Sequence, residues 1–160
     1  LNIPYPGGPL LDKLAEEGDP KALRLPRPHT EGRYDYSFSG LKTAFINAVH
    51  NARQKGEALR DADLAASFRA AVVSFLVDRA MLAADDLHLT KMALAGGVSA
   101  NRLLRREMTA ACRKRGIALY MPALNLCGDN AAMIGSAAYY RLQRGEIADL
   151  ALNARPSLRL

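Results

Sequence analysis

The sequence lacks most of the motifs that assign an enzyme at sight. No G-x-x-x-x-G-K-[ST] loop and no G-x-G-x-x-G fingerprint occurs, which removes P-loop and ordinary dinucleotide-binding chemistry. HExxH is absent, and His29, His50 and His88 are too scattered to form a local metal pair. Ser37, Ser39 and Ser99 stand outside any G-x-S-x-G setting, so a hydrolase triad has little support. There are two cysteines, Cys112 and Cys127, with no CxxC and no disulfide framework. They read as reduced thiols of a cytosol-like, cytoplasmic compartment. No apolar run is long enough to cross a bilayer, so no membrane partner is expected, and no signal peptide is visible. Internal repeats and low-complexity tracts are missing as well. The chain begins at Leu1 rather than Met, which suggests a fragment, a processed product or incomplete numbering.

What is present is a folded composition. The 160 residues are 49% hydrophobic and 24% charged, enough for one domain with a real core. A net charge of +6 permits nucleic acid as a partner without requiring it.

The most informative stretch is Lys91-Met-Ala-Leu-Ala-Gly-Gly-Val-Ser-Ala-Asn101. Met92–Ala95 is a short apolar run, the mark of a buried strand. Gly96 and Gly97 stop it, Ser99 falls where an N-cap belongs, and residues 100–115 carry Leu103, Leu104, Met108 and Ala111 at helical spacing. A strand, a Gly-Gly turn and a helix N-terminus suit a phosphate or nucleotide, because glycine admits close approach and free N–H groups end the helix. They equally suit any tight strand-to-helix turn.

Before this stretch, residues 1–9 read as a Pro/Gly loop. Pro9 opens a helix over Leu10–Glu17, and Gly18 ends it. Asp12, away from Leu11 and Leu14, reads by itself as a solvated helix carboxylate. Residues 19–33 form an irregular connector. Tyr34–Phe38 alternates aromatic with polar, which predicts a half-buried strand. A helix follows over Leu41–Arg53. Asp61 or Asp63 caps the longest helix, which runs to about Ala84 and is apolar on several sides.

After the central stretch, Gly116 closes its helix, Ile117–Met121 is a second strand, and Asn125–Asn130 is a loop. Ala131–Arg144 is a helix rich in small residues, with Asp129-Asn130 at its cap position; Asp129 alone reads as a cap. The tail around Arg155-Pro156-Ser157 reads as partly ordered. The basic residues Arg102, Arg105, Arg106, Arg113, Lys114 and Arg115 read as a solvated helix face in preference to an RNA site. The element order implies α/β layering.

Four blocks together are more specific than any one. They are Tyr5-Pro-Gly-Gly-Pro9 with Asp12-Lys-Leu-Ala15, Asp35–Thr43, Ala95–Asn101, and Cys127-Gly-Asp-Asn-Ala-Ala-Met-Ile-Gly135. With them the whole chain closely resembles the C-terminal part of the tRNA N6-adenosine threonylcarbamoyltransferase family, long known as O-sialoglycoprotein endopeptidases or glycoproteases. The serine-phenylalanine-serine-glycine form and the Arg155-Pro156 ending resemble bacterial members.

The resemblance implies the C-terminal lobe of an actin/Hsp70/sugar-kinase-like (ASKHA, ribonuclease H-like) α/β fold with added helices, residues 1–160 forming one lobe of a two-lobe enzyme whose N-terminal lobe is absent. It implies transfer of a threonylcarbamoyl group from threonylcarbamoyl-AMP to N6 of adenosine 37 in tRNAs that read ANN codons. It implies an adenylate or ATP-type nucleotide ligand at Gly8, Asp12, Gly96, Gly97 and Asn101, and one divalent transition metal, iron or zinc, per intact subunit, with Asp129 as a ligand. The implied partners are tRNA, a paralogous scaffold subunit and a small ATPase subunit of the bacterial modification complex. The family's other metal ligands are a His-x-x-x-His pair, and this sequence has none. A lone carboxylate cannot hold a transition metal, which takes about three protein ligands. The expectation is therefore an isolated lobe that is inactive by itself. The alternatives are a non-catalytic nucleotide-binding scaffold of the same fold and a metal-dependent glycoprotease.

Overall fold

The long apolar stretch forms one helix, α3, over Asp61–Asp86. Its apolar positions wrap the helix, so it is covered on several sides, with Leu64, Ala65, Ala66, Val73 and Met81 buried. The structure is a computed structural model that describes residues 1–27 and 29–154. The chain divides into two units, Leu1–Cys127 and the residues from Gly128 onward.

In the first unit, α1 (Gly7–Leu14), α2 (Ser39–Gln54) and α4 (Arg102–Arg115) accompany α3, with strands β1 (Lys91–Ala93) and β2 (Ala118–Tyr120) on either side of α4 in sequence. The strands are parallel, pairing Lys91 with Ala118, Met92 with Leu119 and Ala93 with Tyr120, so β1-α4-β2 is a crossover unit. The α/β layering expected from the element order is present. The main core joins Val73, Met81 and Ala84 of α3 to Leu103, Leu104, Met108 and Cys112 of α4 and to Ile117. A smaller cluster sets Ala15 against Ala65 and Ala66.

Several expectations are corrected. Helix α1 begins at Gly7, not after Pro9; proline fits its first turn because those N–H groups have no intrahelical partner. A 3₁₀ turn over Ala15–Glu17 follows. Gly18 then crosses the start of α3, where an added Cβ would collide with the Ala62 carbonyl oxygen. Neither Asp61 nor Asp63 caps α3. Arg60 holds that position, and both aspartates sit in the first turn, where the helix dipole favours them. Asp63 accepts the Asp19 amide at 2.8 Å instead.

Tyr34–Phe38 is not a strand: Tyr34 sits in a turn and Phe38, at φ -111° and ψ -4°, already leads into α2. Its alternation is satisfied by α3 rather than by a ladder. Tyr36 and Phe38 each meet Phe75 edge-on at 5.8 Å, and the Tyr34 hydroxyl donates to Asp86 at 2.8 Å. Arg33 and Tyr34 together hold the Asp86 carboxyl down to about 2. The apolar run Met92–Ala95 is buried on one face only: Met92 and Leu94 pack inward, while Ala93 and Ala95 are exposed.

The ends of α4 explain its limits. Ser99 is not its cap. Ser99 lies in a 3₁₀ turn, Gly97–Ala100, and Asn101 caps α4 by accepting the Leu104 amide at 2.9 Å. Gly116 adopts φ 68°, and the bonds Ile117 N–H to Cys112 O and Gly116 N–H to Arg113 O close a Schellman motif. Cys112 and Cys127 are free and buried, and burial pushes the Cys112 thiol up.

The second unit contains α5 (Ala131–Gln143), capped by Asn130, whose Oδ1 accepts the Met133 amide at 3.1 Å. The tail expectation at Arg155-Pro156-Ser157 lies outside the described residues. Among the described residues no helix is long and apolar enough to cross a membrane.

Candidate functional site

Asp12 departs furthest from its simple reading. It is buried, 8% exposed, on the inward side of α1. Its Oδ1 accepts Asn101 Nδ2 at 2.8 Å and Arg69 Nη1 at 3.0 Å, and its Oδ2 accepts the Arg102 amide at 3.3 Å. That amide opens α4, so the carboxylate faces the positive end of a helix. The solvated reading therefore fails, because three elements converge on this side chain.

Arg69, from α3, ties the arrangement together. Besides the Asp12 carboxylate it reaches Asp12 O at 2.9 Å, Ala15 O at 3.1 Å and the Glu16 carboxylate. Two carboxylates against one buried guanidinium keep the ion pair compensated as it leaves water. Sequence reasoning missed Arg69. The available signal was a single arginine inside the apolar run Ala65–Val73, a place where an unpaired charge would be costly.

Gly8 and Asp12 from α1 meet Gly97 and Asn101 from the turn into α4 around one cavity of about 680 Å³. Lys13 and Arg102 add positive charge to it; Val98 and Leu124 add apolar surface. A Cβ added at Gly8 or Gly97 would meet no atom of the described residues within 4 Å beyond its own chain neighbours and helix backbone. Both glycines thus leave bare backbone facing open space. Gly96, next to the cavity lining, adopts φ 84° and ψ 172°, a region open essentially to glycine alone. It turns the chain from β1 into the 3₁₀ turn.

Arg105 supports that turn from behind. It donates to Ser99 O at 2.9 Å and to Pro122 O at 2.7 Å, joining the Gly-Gly segment to the chain leaving β2. Arg115 pairs with Asp85 at 2.9 Å. These two residues do not belong to a purely solvated basic face.

A model of the family described as TsaD, tRNA N6-adenosine threonylcarbamoyltransferase, matches residues 1–136. The chain belongs to that family. Curated tRNA N6-adenosine threonylcarbamoyltransferases from Moorella thermoacetica and Symbiobacterium thermophilum are 52% identical over 161 and 160 residues. One from Geobacillus kaustophilus is 50% identical over 162 residues. Each match takes in 100% of this chain and 47% of the relative, so the chain spans about half the length of the curated relatives it matches.

Asp129, the metal ligand implied by likeness to tRNA N6-adenosine threonylcarbamoyltransferases, lies in the second unit. It is exposed, and among the described residues its carboxylate has no partner. It is not the cap of α5, a role held by Asn130. No group of three or more His, Cys, Asp or Glu side chains among the described residues could hold a metal. The donors among the described residues therefore do not fit a complete iron or zinc centre, which needs about three protein ligands.

Proposed function

We propose that this chain is the C-terminal lobe of a two-lobe, ASKHA-type tRNA-modifying acyltransferase, and that the cavity beside Asp12 binds the adenylate of threonylcarbamoyl-AMP. The convergence of Gly8, Asp12, Gly97 and Asn101 on one concave surface carries this reading. Asp12 Oδ2 takes one long bond among the described residues, which leaves lone pairs for the ribose hydroxyls. Bare backbone at Gly8 and Gly97 admits close approach of the nucleotide. Lys13 and Arg102 supply the positive charge that a phosphate requires.

The transfer is acyl transfer. The adenosine N6 attacks the carbamoyl carbon, a C–N bond forms, the bond from that carbon to the phosphate oxygen breaks, and AMP leaves with its electron pair while N6 loses a proton. This lobe holds and orients the adenylate; no side chain around the cavity is assigned as general base. Asp129 is the donor we assign to this chain for an iron or zinc ion in the intact subunit. The remaining partners in this reading are tRNA, a paralogous scaffold subunit and a small ATPase subunit, in the cytoplasm.

The test is threonylcarbamoyl transfer to tRNA by the intact enzyme carrying Asp12→Ala. The expected result is a raised KM for threonylcarbamoyl-AMP with the tRNA KM unchanged. Wild-type kinetics in a folded variant would remove Asp12 from the site.

A further inference from the structure

Helix α4 carries six basic residues and one acid, Glu107. Folding uses two of the six: Arg105 braces the Gly-Gly turn and Arg115 pairs with Asp85. Arg102, Arg106, Arg113 and Lys114 remain exposed. Arg106 has a single 3.4 Å contact with its own neighbour Glu107, and both are well exposed, so that pair contributes little. The helix dipole accounts for Arg113 and Lys114 in the last turn. It opposes Arg102 and Arg106 in the N-terminal half, where the first turn holds no acid. Stability of the helix therefore does not explain them.

Arg106, Arg113 and Lys114 border a depression of about 700 Å³ whose floor is Thr109 and Ala110. Small side chains between cations leave room for a strand to settle against the helix. Arg106 and Arg113 are two turns apart on one face, about 10 Å along the axis. One turn N-terminal to Arg106, Arg102 lines the cavity that also holds Asp12 and Asn101. A basic track thus runs from the edge of that cavity along α4.

We infer that this face of α4 is the phosphate-backbone docking surface for an RNA strand, placed so that a base can be presented to the cavity at the start of the helix. The inference rests on the proposed transferase reading, since tRNA is the polyanion that reading supplies. Charge complementarity favours RNA over an anionic membrane, because no large apolar side chain borders the depression for insertion into a bilayer. The bonds formed are to phosphates, so they set affinity and orientation rather than sequence preference.

The experiment uses the intact enzyme carrying Arg106→Gln, Arg113→Gln and Lys114→Gln together, glutamine being a good helix former. A second variant, Arg106→Lys with Arg113→Lys, keeps the charge. Binding of tRNA is measured across a salt series, alongside binding of an adenylate analogue and of phosphatidylserine vesicles. The triple variant is expected to bind tRNA at least tenfold more weakly, with a salt slope shallower by about 0.7–0.9 for each phosphate it no longer neutralises. Adenylate affinity stays unchanged and the lysine variant retains tRNA binding. An unchanged salt slope overturns the inference, and so does a response confined to vesicles. Salt-dependent tRNA binding without adenylate binding would leave this surface standing while the proposed function falls.

Discussion

The Asn101 side chain donates from Nδ2 to Asp12 Oδ1 at 2.8 Å while its own Oδ1 accepts the Leu104 amide at 2.9 Å. One amide therefore caps α4 and holds the cavity carboxylate. The orientation is fixed by chemistry, since an N–H faces one end and a carboxylate the other. Asn101→Ala removes both bonds and should cost about 1–3 kcal/mol. Asn101→Asp keeps the cap but sets two carboxylates together, so one of them resists ionisation. Thermal melting should rank Ala below Asp near pH 5, and the stability of the Asp variant should fall as pH rises above that. Equal, pH-independent melting of the two variants would separate the cap from the Asp12 contact.

Arg69 is the second support of Asp12. Arg69→Met leaves Asp12 and Glu16 without their buried counter-charge and should destabilise by about 3–5 kcal/mol. Adding Asp12→Asn removes part of that penalty. The double variant should be more stable than the sum of the two single losses implies, by urea unfolding of all four proteins. Strict additivity would mean the pair does not act as a unit.

Asn130 alone caps α5, although the sequence places both Asp129 and Asn130 at its cap position. Asn130→Ala should lower stability by about 1 kcal/mol, because it removes the acceptor for the Met133 amide. Asp129→Asn should leave melting unchanged. In the intact enzyme it should reduce bound iron or zinc, since a neutral amide is a poorer ligand than a carboxylate. Full metal content in Asp129→Asn would remove the ligand assignment.

Much of the fold was legible in sequence wherever one physical rule governed one element. The apolar spacing of Leu103, Leu104 and Met108 marked α4, Gly116 marked its end, and small apolar runs marked both strands. The errors arose where a distant residue overrode a local pattern. Asp12 reads as solvated until Arg69, fifty-seven positions away, is brought against it. Tyr34–Phe38 has the period of a strand, but its aromatic rings pack on Phe75 and it finds no ladder. Ser99 has the composition of a cap, yet Gly96 at φ 84° sends the chain through a 3₁₀ turn and shifts the helix start to Arg102. Of the candidate nucleotide residues, motif likeness named Gly8, Asp12, Gly97 and Asn101, which line one cavity; their supports Arg69 and Arg105 had no motif to announce them.

The claim that the cavity beside Asp12 holds an adenylate is tested most directly at Gly97. A Cβ placed there meets no atom of the described residues beyond its chain neighbours within 4 Å, so Gly97→Val should fold with melting close to wild type. The branched side chain would instead occupy the ligand's space. Calorimetric titration of the intact enzyme with a non-hydrolysable threonylcarbamoyl-AMP analogue should show at least a tenfold loss of affinity, about 1.4 kcal/mol. Wild-type affinity in a folded Gly97→Val enzyme would contradict the account.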